Sequence, residues 1–308
     1  MFDLGFIGFG NIAQALANGL SSSNYSICTY DIQKPKRNTL RALNVTCLTG
    51  NEEVVEKSKI IFLCVKPNYF PQVLSNISDH VNKKKIIISV GAGVSLGFIS
   101  KFLNNSKVIR IMPNLSSAFG NGFTAMSFNK FVLTKERALV TKILNLFGQT
   151  IELKNESVFD NITALSGSGP AFFAFYLHSV IKFAIESGFT KKQALSIAYN
   201  TAGGALSYLK NSSFSPEKFI KLVSSPKGTT EEGIKHLKSK GFEKIIMDCH
   251  RKSAKRSKSI SSKNEKKEQG GGNKRTFFLK TCPTLLFIYF SVLFYLITLI
   301  PSQKTSCL

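Results

Sequence analysis

Short apolar runs alternate with amphipathic stretches through the first half of the chain. The runs span Leu4–Ile7, Tyr25–Tyr30, Ile60–Val65, Ile86–Val90, Val108–Met112, Phe123–Phe128 and Thr150–Leu153. Short runs of this kind, separated by stretches with helical spacing, are typical of buried strands in a parallel sheet with helices on both faces. The pattern predicts an α/β domain over residues 1–156 with a doubly wound, mainly parallel sheet.

The strand pattern stops at about Val158, and helical patterns fill the following hundred residues or so. The first of them, Pro170–Gly188, is apolar on almost every side, as in a helix buried within a domain or between subunits. An all-helical domain over residues 157–262 is too small to enclose this helix alone, so we expect a homodimer or a larger homo-oligomer. Further helices are predicted over Lys191–Lys210, Pro216–Val223, Thr230–Ser239 and Phe242–Ser259.

The character of the chain changes after Ser262. Residues 263–283 are polar, basic and glycine-containing, which predicts a low-complexity linker. Residues 284–300 carry no charge, and their length is close to the lower limit of about 17 residues for a membrane helix. Two interpretations of this segment stay open at this point: a membrane anchor, or translated non-coding sequence.

Charge and cysteine content narrow the class of protein. The formal net charge of +23 raises nucleic acid or a membrane surface as a partner, but no helix-turn-helix, zinc or RNA-binding motif accompanies it. We therefore expect no nucleic-acid partner. The six cysteines show no C-x-x-C spacing, which indicates a reducing compartment and no metal site. Because Met1 lies too close to the first strand for a signal or transit peptide, we expect a cytoplasmic protein, membrane-tethered only if residues 284–300 act as an anchor.

A glycine motif follows the first predicted strand. Gly8, Gly10 and Ala13 form a G-x-G-x-x-A pattern that also contains Asn11 and Ile12 and opens a helical stretch. The first glycine permits a tight turn, the second lets a pyrophosphate approach the backbone, and the third small residue allows close helix–strand packing. The motif therefore predicts a dinucleotide site at the start of the sheet.

A second glycine-containing segment, Val223–Gly233, stands just before a predicted helix near the other end of the folded part. It contains hydroxyl side chains, a proline and two glycines. Backbone N–H groups at a helix start bind anions, and glycine lets a ligand approach closely. This composition favours a site for a small carboxylate beside a group that needs one hydrogen bond.

The chain from Phe6 to about Ser262 resembles the pyrroline-5-carboxylate reductases. The segments that carry the resemblance are Gly8–Ala13, Val65–Pro67, Ser89–Gly93, Arg110–Asn114, Ala164–Ala171, Ser225–Thr230 and Arg256–Lys258. The resemblance implies a Rossmann domain, a helical dimerisation domain and reduction of a cyclic imine to proline by NAD(P)H, the last step of proline synthesis. The residues after Ser262 have no counterpart in this resemblance.

The resemblance also implies roles for single residues. Ser225, with the backbone around Gly228 and Thr229, would hold the substrate carboxylate, and Thr230 would be the catalytic residue that hydrogen-bonds the ring nitrogen. Ser168 would lie close to substrate and nicotinamide. Lys227 stands where many family members have glycine, so its side chain would alter the loop or add positive charge.

The cofactor is expected to be NADPH, with NADH as the alternative. Asp31 is placed like an acid that binds the ribose diol of NAD, whereas Lys34, followed by Lys36 and Arg37, offers charge for a 2′-phosphate. The cofactor-binding set predicted from the motif and the resemblance is Gly8, Gly10, Asn11, Ile12, Ala13, Asp31, Lys34, Val65, Lys66, Pro67, Ala92, Met112, Pro113 and Asn114.

Two other functions compete with the reductase. A related β-hydroxyacid dehydrogenase would carry a lysine in the helix after its interdomain segment, and Ala164–Tyr176 contains none. A non-catalytic NAD(P)-binding regulator would tolerate the loss of Ser225 or Thr230, yet both hydroxyls are present.

Overall fold

The structure is a computed structural model that describes residues 1–269. The chain divides into a unit over Met1–Asn264 and a second unit that begins at Glu265. The fold and the candidate site both belong to the first unit. The predicted hydrophobic segment 284–300 and most of the predicted linker lie outside the described residues.

One sheet organises the first half of the described chain. Its strands are β1 (Phe2–Ile7), β2 (Ile27–Tyr30), β3 (Val45–Cys47), β4 (Ser58–Leu63), β5 (Ile86–Ser89), β6 (Lys107–Met112), β7 (Gly122–Phe128) and β8 (Gly148–Glu152). The spatial order is β3-β2-β1-β4-β5-β6-β7-β8, and all neighbours are parallel except β6 and β7. The predicted doubly wound, mainly parallel sheet is confirmed.

Helices cover both faces of this sheet. They are α1 (Asn11–Gly19), α2 (Arg37–Ala42), α3 (Asn51–Lys57), α4 (Phe70–Ile77), α5 (Leu96–Phe102) and α6 (Thr134–Leu144). One buried cluster joins the sheet to α1 and α6 through Leu16 and Val140. A second cluster joins the opposite face to α4 and α5 through Leu74 and Ile99. The loops at the strand ends therefore project from a rigid three-layer core.

The second half is helical, as predicted. Its elements are α7 (Phe159–Ile162), a π-helical turn over Thr163–Gly167, α8 (Gly169–Glu186), α9 (Lys191–Asn211), α10 (Pro216–Val223), α11 (Thr229–Ser239) and α12 (Phe242–Gln269). The start of α9 is fixed by reciprocal hydrogen bonds between Thr190 and Gln193, a capping box. α12 continues past Lys263 to Gln269, so the first residues of the predicted linker are helical.

Helix α8 is apolar but exposed in the single chain. Phe175 and Phe183 are 73% and 71% exposed, and in this helix only Ala184 is buried. Among the described residues, the segment Glu156–Glu186 is the one whose length and composition would permit a membrane span. The core helix of a soluble protein passes the same test, so the observation is weak evidence for a membrane. The burial expected for α8 is therefore not achieved within one chain.

Candidate active site

The glycine turn after β1 has the geometry of a nucleotide-binding turn. Gly8 has a φ of +86°, and a Cβ there would lie 2.9 Å from the Val65 side chain and 3.0 Å from the carbonyl carbon of Cys64. Gly10 caps α1, and a Cβ added to it would meet nothing within 4 Å among the described residues. Ala13 is fully buried between α1 and the sheet. The turn is thus tight at Gly8, open at Gly10 and closely packed at Ala13, which fits a bound pyrophosphate.

Asp31, at the end of β2, is engaged with backbone. One carboxylate oxygen accepts the N–H of Phe9 at 2.6 Å, and the other accepts the N–H of Gln33 at 2.8 Å. These bonds tie the glycine turn to the end of β2. Lys34 is exposed in the loop that follows. Asp31 therefore holds the shape of the turn, a role not expected from the sequence.

The carboxyl ends of the central strands gather most of the other predicted cofactor residues. β1, β4, β5 and β6 run parallel, so the residues that follow them share one edge of the sheet. That edge carries Val65–Pro67 after β4, Ala92 after β5, and Pro113 and Asn114 directly after Met112, the last residue of β6. Ala92 packs against a small buried cluster that contains Met112. In open α/β sheets, ligands bind in the crevice outside this edge.

Asn114 is joined to the segment that leads into α8. Its Nδ2 donates to the Ser166 hydroxyl at 3.1 Å, and that hydroxyl donates to the carbonyl oxygen of Phe123 at 3.1 Å. The Asn114 Oδ1 atom is buried and has no partner in the described part of the chain. A cavity of about 480 Å³ adjoins the pair and is lined also by Leu165, Pro170 and other residues of the same segment. Ser166 was not among the single residues predicted for the site, although it lies within Ala164–Ala171, one of the segments that carry the family resemblance.

Ser168, which was predicted to lie near the substrate, contacts α12 in the single chain. Its hydroxyl lies 3.1 Å from the hydroxyl of Ser253. Nearby, the Ser257 hydroxyl donates to Asp160 at 2.6 Å, and His250 Nδ1 lies 3.2 Å from the carbonyl oxygen of Ala164. These contacts hold α12 against the α7–α8 segment. Substrate binding by Ser168 stays a prediction.

An ion pair between a buried arginine and a half-buried glutamate anchors the segment between the two halves. Arg110 on β6 contacts Glu156 at 2.7 Å, and the same carboxylate oxygen accepts the N–H of Leu96 at 2.9 Å. The Arg110 guanidinium also stacks over the ring of Phe159 at 4.3 Å. Since Arg110 is 5% exposed, this arrangement fixes the start of the helical half against the sheet beside Met112.

The predicted substrate loop is a tight turn before α11. The N–H of Gly228 donates to the carbonyl oxygen of Ser225 at 3.0 Å. Pro226 occupies the second position of the turn, and Lys227 occupies the third with a φ of 60°. A side chain in this left-handed region costs about 1 kcal/mol, which explains the preference for glycine there. Lys227 therefore changes the backbone energetics of the loop as well as its charge.

Thr229 and Thr230 begin α11, so their N–H groups have no acceptor within the helix. Thr230 is half-buried and Ser225 is exposed. Within residues 1–269, the backbone hydrogen bonds of the Ser225–Thr230 loop stay inside the loop and the first turn of α11. Among the described residues of one chain, no backbone hydrogen bond joins the Ser225–Thr230 loop to the glycine turn after β1. The described residues also contain no group of three His, Cys, Asp or Glu side chains placed to hold a metal ion.

Comparisons with known proteins identify the family. A family model described as pyrroline-5-carboxylate reductase dimerisation matches residues 156–260, and one described as NADP oxidoreductase coenzyme F420-dependent matches residues 3–93. The chain is 34% identical over 260 residues to pyrroline-5-carboxylate reductase of Aquifex aeolicus, covering 83% of this chain and 97% of that relative. It belongs to the pyrroline-5-carboxylate reductase family. The Pisum sativum reductase is 31% identical over 264 residues, with 84% and 96% covered.

Solved structures of pyrroline-5-carboxylate reductases have the same fold. The Plasmodium falciparum pyrroline carboxylate reductase, solved with NADP bound, matches with a TM-score of 0.79 at 26% identity, covering 84% of this chain and 98% of that one. The Coxiella burnetii reductase matches with a TM-score of 0.75 at 28% identity, with the same coverage. The predicted family is confirmed, as is its Rossmann-like domain followed by a helical dimerisation domain. A homo-oligomer follows from the dimerisation domain.

Proposed function

We propose that this chain reduces 1-pyrroline-5-carboxylate to L-proline, with the reacting groups held at the carboxyl edge of the sheet beside Asn114 and Ser166. It is an NAD(P)H-dependent oxidoreductase of the pyrroline-5-carboxylate reductase family. The observation that carries the proposal is the shared carboxyl edge of β1, β4, β5 and β6, where the Gly8 turn follows β1 and the Asn114–Ser166 pair lies beyond β6 next to a cavity. In open α/β sheets, a dinucleotide binds in the crevice outside this edge.

The cofactor side is built from backbone and small residues. The open face at Gly10 and the N–H groups of Asn11 and Ile12 at the start of α1 would hold the pyrophosphate. Exposed Lys34, with Lys36 and Arg37 beyond it, would bind a 2′-phosphate and so favour NADPH over NADH. When bound there, the dihydronicotinamide supplies the hydride.

The substrate side uses a hydroxyl and backbone donors. Ser225 and the N–H groups at the start of α11 would hold the carboxylate, while the Thr230 hydroxyl would bond the ring nitrogen. A protonated imine accepts hydride at carbon without a protein base, so orientation is the main task of the protein. Ser168, which caps the start of α8, would border the substrate.

Assembly completes the site in this proposal. The Ser225–Thr230 loop and the cofactor edge would come from different subunits of a dimer or larger homo-oligomer. The exposed aromatic side chains of α8, including Phe175 and Phe183, would form the interface. We place the enzyme in the cytoplasm. The alternative of a membrane tether rests on residues 284–300, which lie outside the described residues.

Steady-state kinetics of hydroxyl variants test the assignment of Thr230. We expect Thr230→Val to lower kcat/KM for pyrroline-5-carboxylate about 10- to 100-fold, because a hydrogen bond to a charged group is lost, and Thr230→Ser to stay near wild type. A Thr230→Val enzyme with unchanged kcat/KM removes this role from Thr230. A wild-type chain that binds NADPH but turns over no imine favours the non-catalytic regulator.

A further inference from the structure

The Lys227 backbone is held by a carboxylate from its own helix. Glu231 is the third residue of α11, and its Oε2 accepts the N–H of Lys227 at 2.5 Å. Its other oxygen lies 3.4 Å from Lys235, one turn further along. The hydrogen bond from the Lys227 backbone N–H is the main cause that lowers the pKa of the Glu231 carboxyl, and the hydrogen bond from the Lys235 side chain is the second. The carboxylate form of Glu231 therefore binds the residue with the left-handed backbone.

The position of this bond ties it to the turn. Lys227 is the third residue of the Ser225–Gly228 turn, where its φ of 60° is the conformation that glycine adopts freely. Without a restraint, a lysine here relaxes towards negative φ and displaces its neighbours. Those neighbours are the Ser225 hydroxyl and the Gly228 N-cap of α11, and a Cβ added to Gly228 would lie 2.4 Å from Ser225 Oγ. The turn is therefore compact, and a small rotation at Lys227 moves the groups that face the substrate.

We infer that Glu231 is a positioning residue for the substrate carboxylate: it clamps Lys227 in the left-handed conformation and so keeps the Ser225–Gly228 turn in its binding shape. The inference rests on the proposed function of this loop. Glu231 compensates for a side chain at a glycine-type position. The pair Lys227 and Glu231 thus works as a unit, and replacing Lys227 by glycine makes Glu231 dispensable.

The direction in which the KM changes in Glu231 variants distinguishes a positioning role of Glu231 from a purely electrostatic one. A glutamate carboxylate beside the site for the substrate carboxylate repels that group, so on charge alone Glu231→Ala and Glu231→Gln both lower the KM for pyrroline-5-carboxylate. Positioning predicts the opposite. Removal of the acceptor in Glu231→Ala raises that KM about tenfold, whereas Glu231→Gln keeps an acceptor and stays within about threefold of wild type.

The test is a double-mutant cycle in the full chain. Glu231→Ala and Lys227→Gly are each made alone and together, and Glu232→Ala serves as the matched control from the same helical turn. We expect the tenfold rise of KM in the lysine background only, with less than twofold change in the Lys227→Gly background. The KM for NADPH stays constant in all variants. An equal rise in both backgrounds, or a fall of KM, overturns the inference.

Hydrogen exchange gives a second readout that needs no turnover. We expect peptides from residues 223–233 to exchange faster in Glu231→Ala than in wild type or Glu232→Ala, because the Lys227 amide loses its acceptor. Unchanged exchange of these peptides overturns the clamp even if KM rises. If the wild-type chain shows no imine turnover but Glu231→Ala still exchanges faster than wild type, the clamp is retained and the proposed function alone fails.

Discussion

The Asp31 carboxylate accepts the backbone N–H of Phe9 at 2.6 Å and thereby joins the end of β2 to the glycine turn. The second carboxylate oxygen of Asp31 accepts the Gln33 N–H, so both oxygens bind backbone groups of the loop. We predict that Asp31→Ala raises the KM for NADPH and NADH alike, by about tenfold, since both cofactors need the same turn. Gln33→Ala is the matched control, because Gln33 contributes only its backbone. A rise confined to NADH would instead assign Asp31 to the cofactor ribose.

Ser166 connects Asn114 to the carbonyl oxygen of Phe123. Removing its hydroxyl takes one partner from each of these two groups in a partly buried site, at a cost of about 1–3 kcal/mol. We predict that Ser166→Ala lowers kcat/KM, and that adding Asn114→Ala produces little further loss because the two residues act together. Urea unfolding and kinetics on the four proteins measure the coupling. Additive losses would show that the pair does not act as a unit.

The Arg110–Glu156 pair should matter for stability more than for chemistry. Arg110 is 5% exposed, so removal of Glu156 leaves a buried positive charge. We predict that Glu156→Ala lowers the free energy of unfolding by about 3 kcal/mol, measured by urea denaturation. Glu152→Ala, which removes an exposed partner of Arg137, provides the control and should cost less than about 1 kcal/mol. Similar losses in the two variants would contradict the role assigned to the buried Arg110 side chain.

The lowered pKa of the Asp3 carboxyl makes the free energy of unfolding depend on pH. Hydrogen bonds from Lys59 and then from Ser26 lower the pKa of the Asp3 carboxyl from 3.8 to about 2. Because the folded-state pKa is depressed, this contribution is present above pH 4 or so and is lost as the pH falls through about 2. We expect Asp3→Asn to be less stable than wild type at pH 7, by less than about 1 kcal/mol, and this difference to be much smaller at pH 2. A difference that persists unchanged at pH 2 would contradict the assignment.

The sequence predicted most of the sheet because buried parallel strands are continuous apolar runs. β3 was missed since Val45–Cys47 contains a single buried residue. The burial of α8 could not be judged from one chain, because in the proposed assembly its partner surface belongs to another subunit. Family, fold and the glycine turn were all evident from motif order and spacing.

The polar details of the site were harder to predict. The bond from Phe9 to Asp31 joins residues 22 positions apart, and Asn114 and Ser166 are 52 positions apart. Such contacts depend on the packing of the loops, which the sequence pattern does not specify. The sequence indicates that Lys227 is an unusual residue for its position, but its left-handed backbone and its bond to Glu231 depend on the folded shape of the turn.

The most direct test of the proposed reaction follows the hydride itself. Purified full-length protein is given 1-pyrroline-5-carboxylate and NADPH that is dideuterated at C4 of the nicotinamide, and the product is analysed by chiral chromatography and mass spectrometry. We predict L-proline that carries one deuterium at C5, formed in equal amount to the NADPH oxidised. Folded protein that yields no labelled proline with either NADPH or NADH would contradict the proposed function.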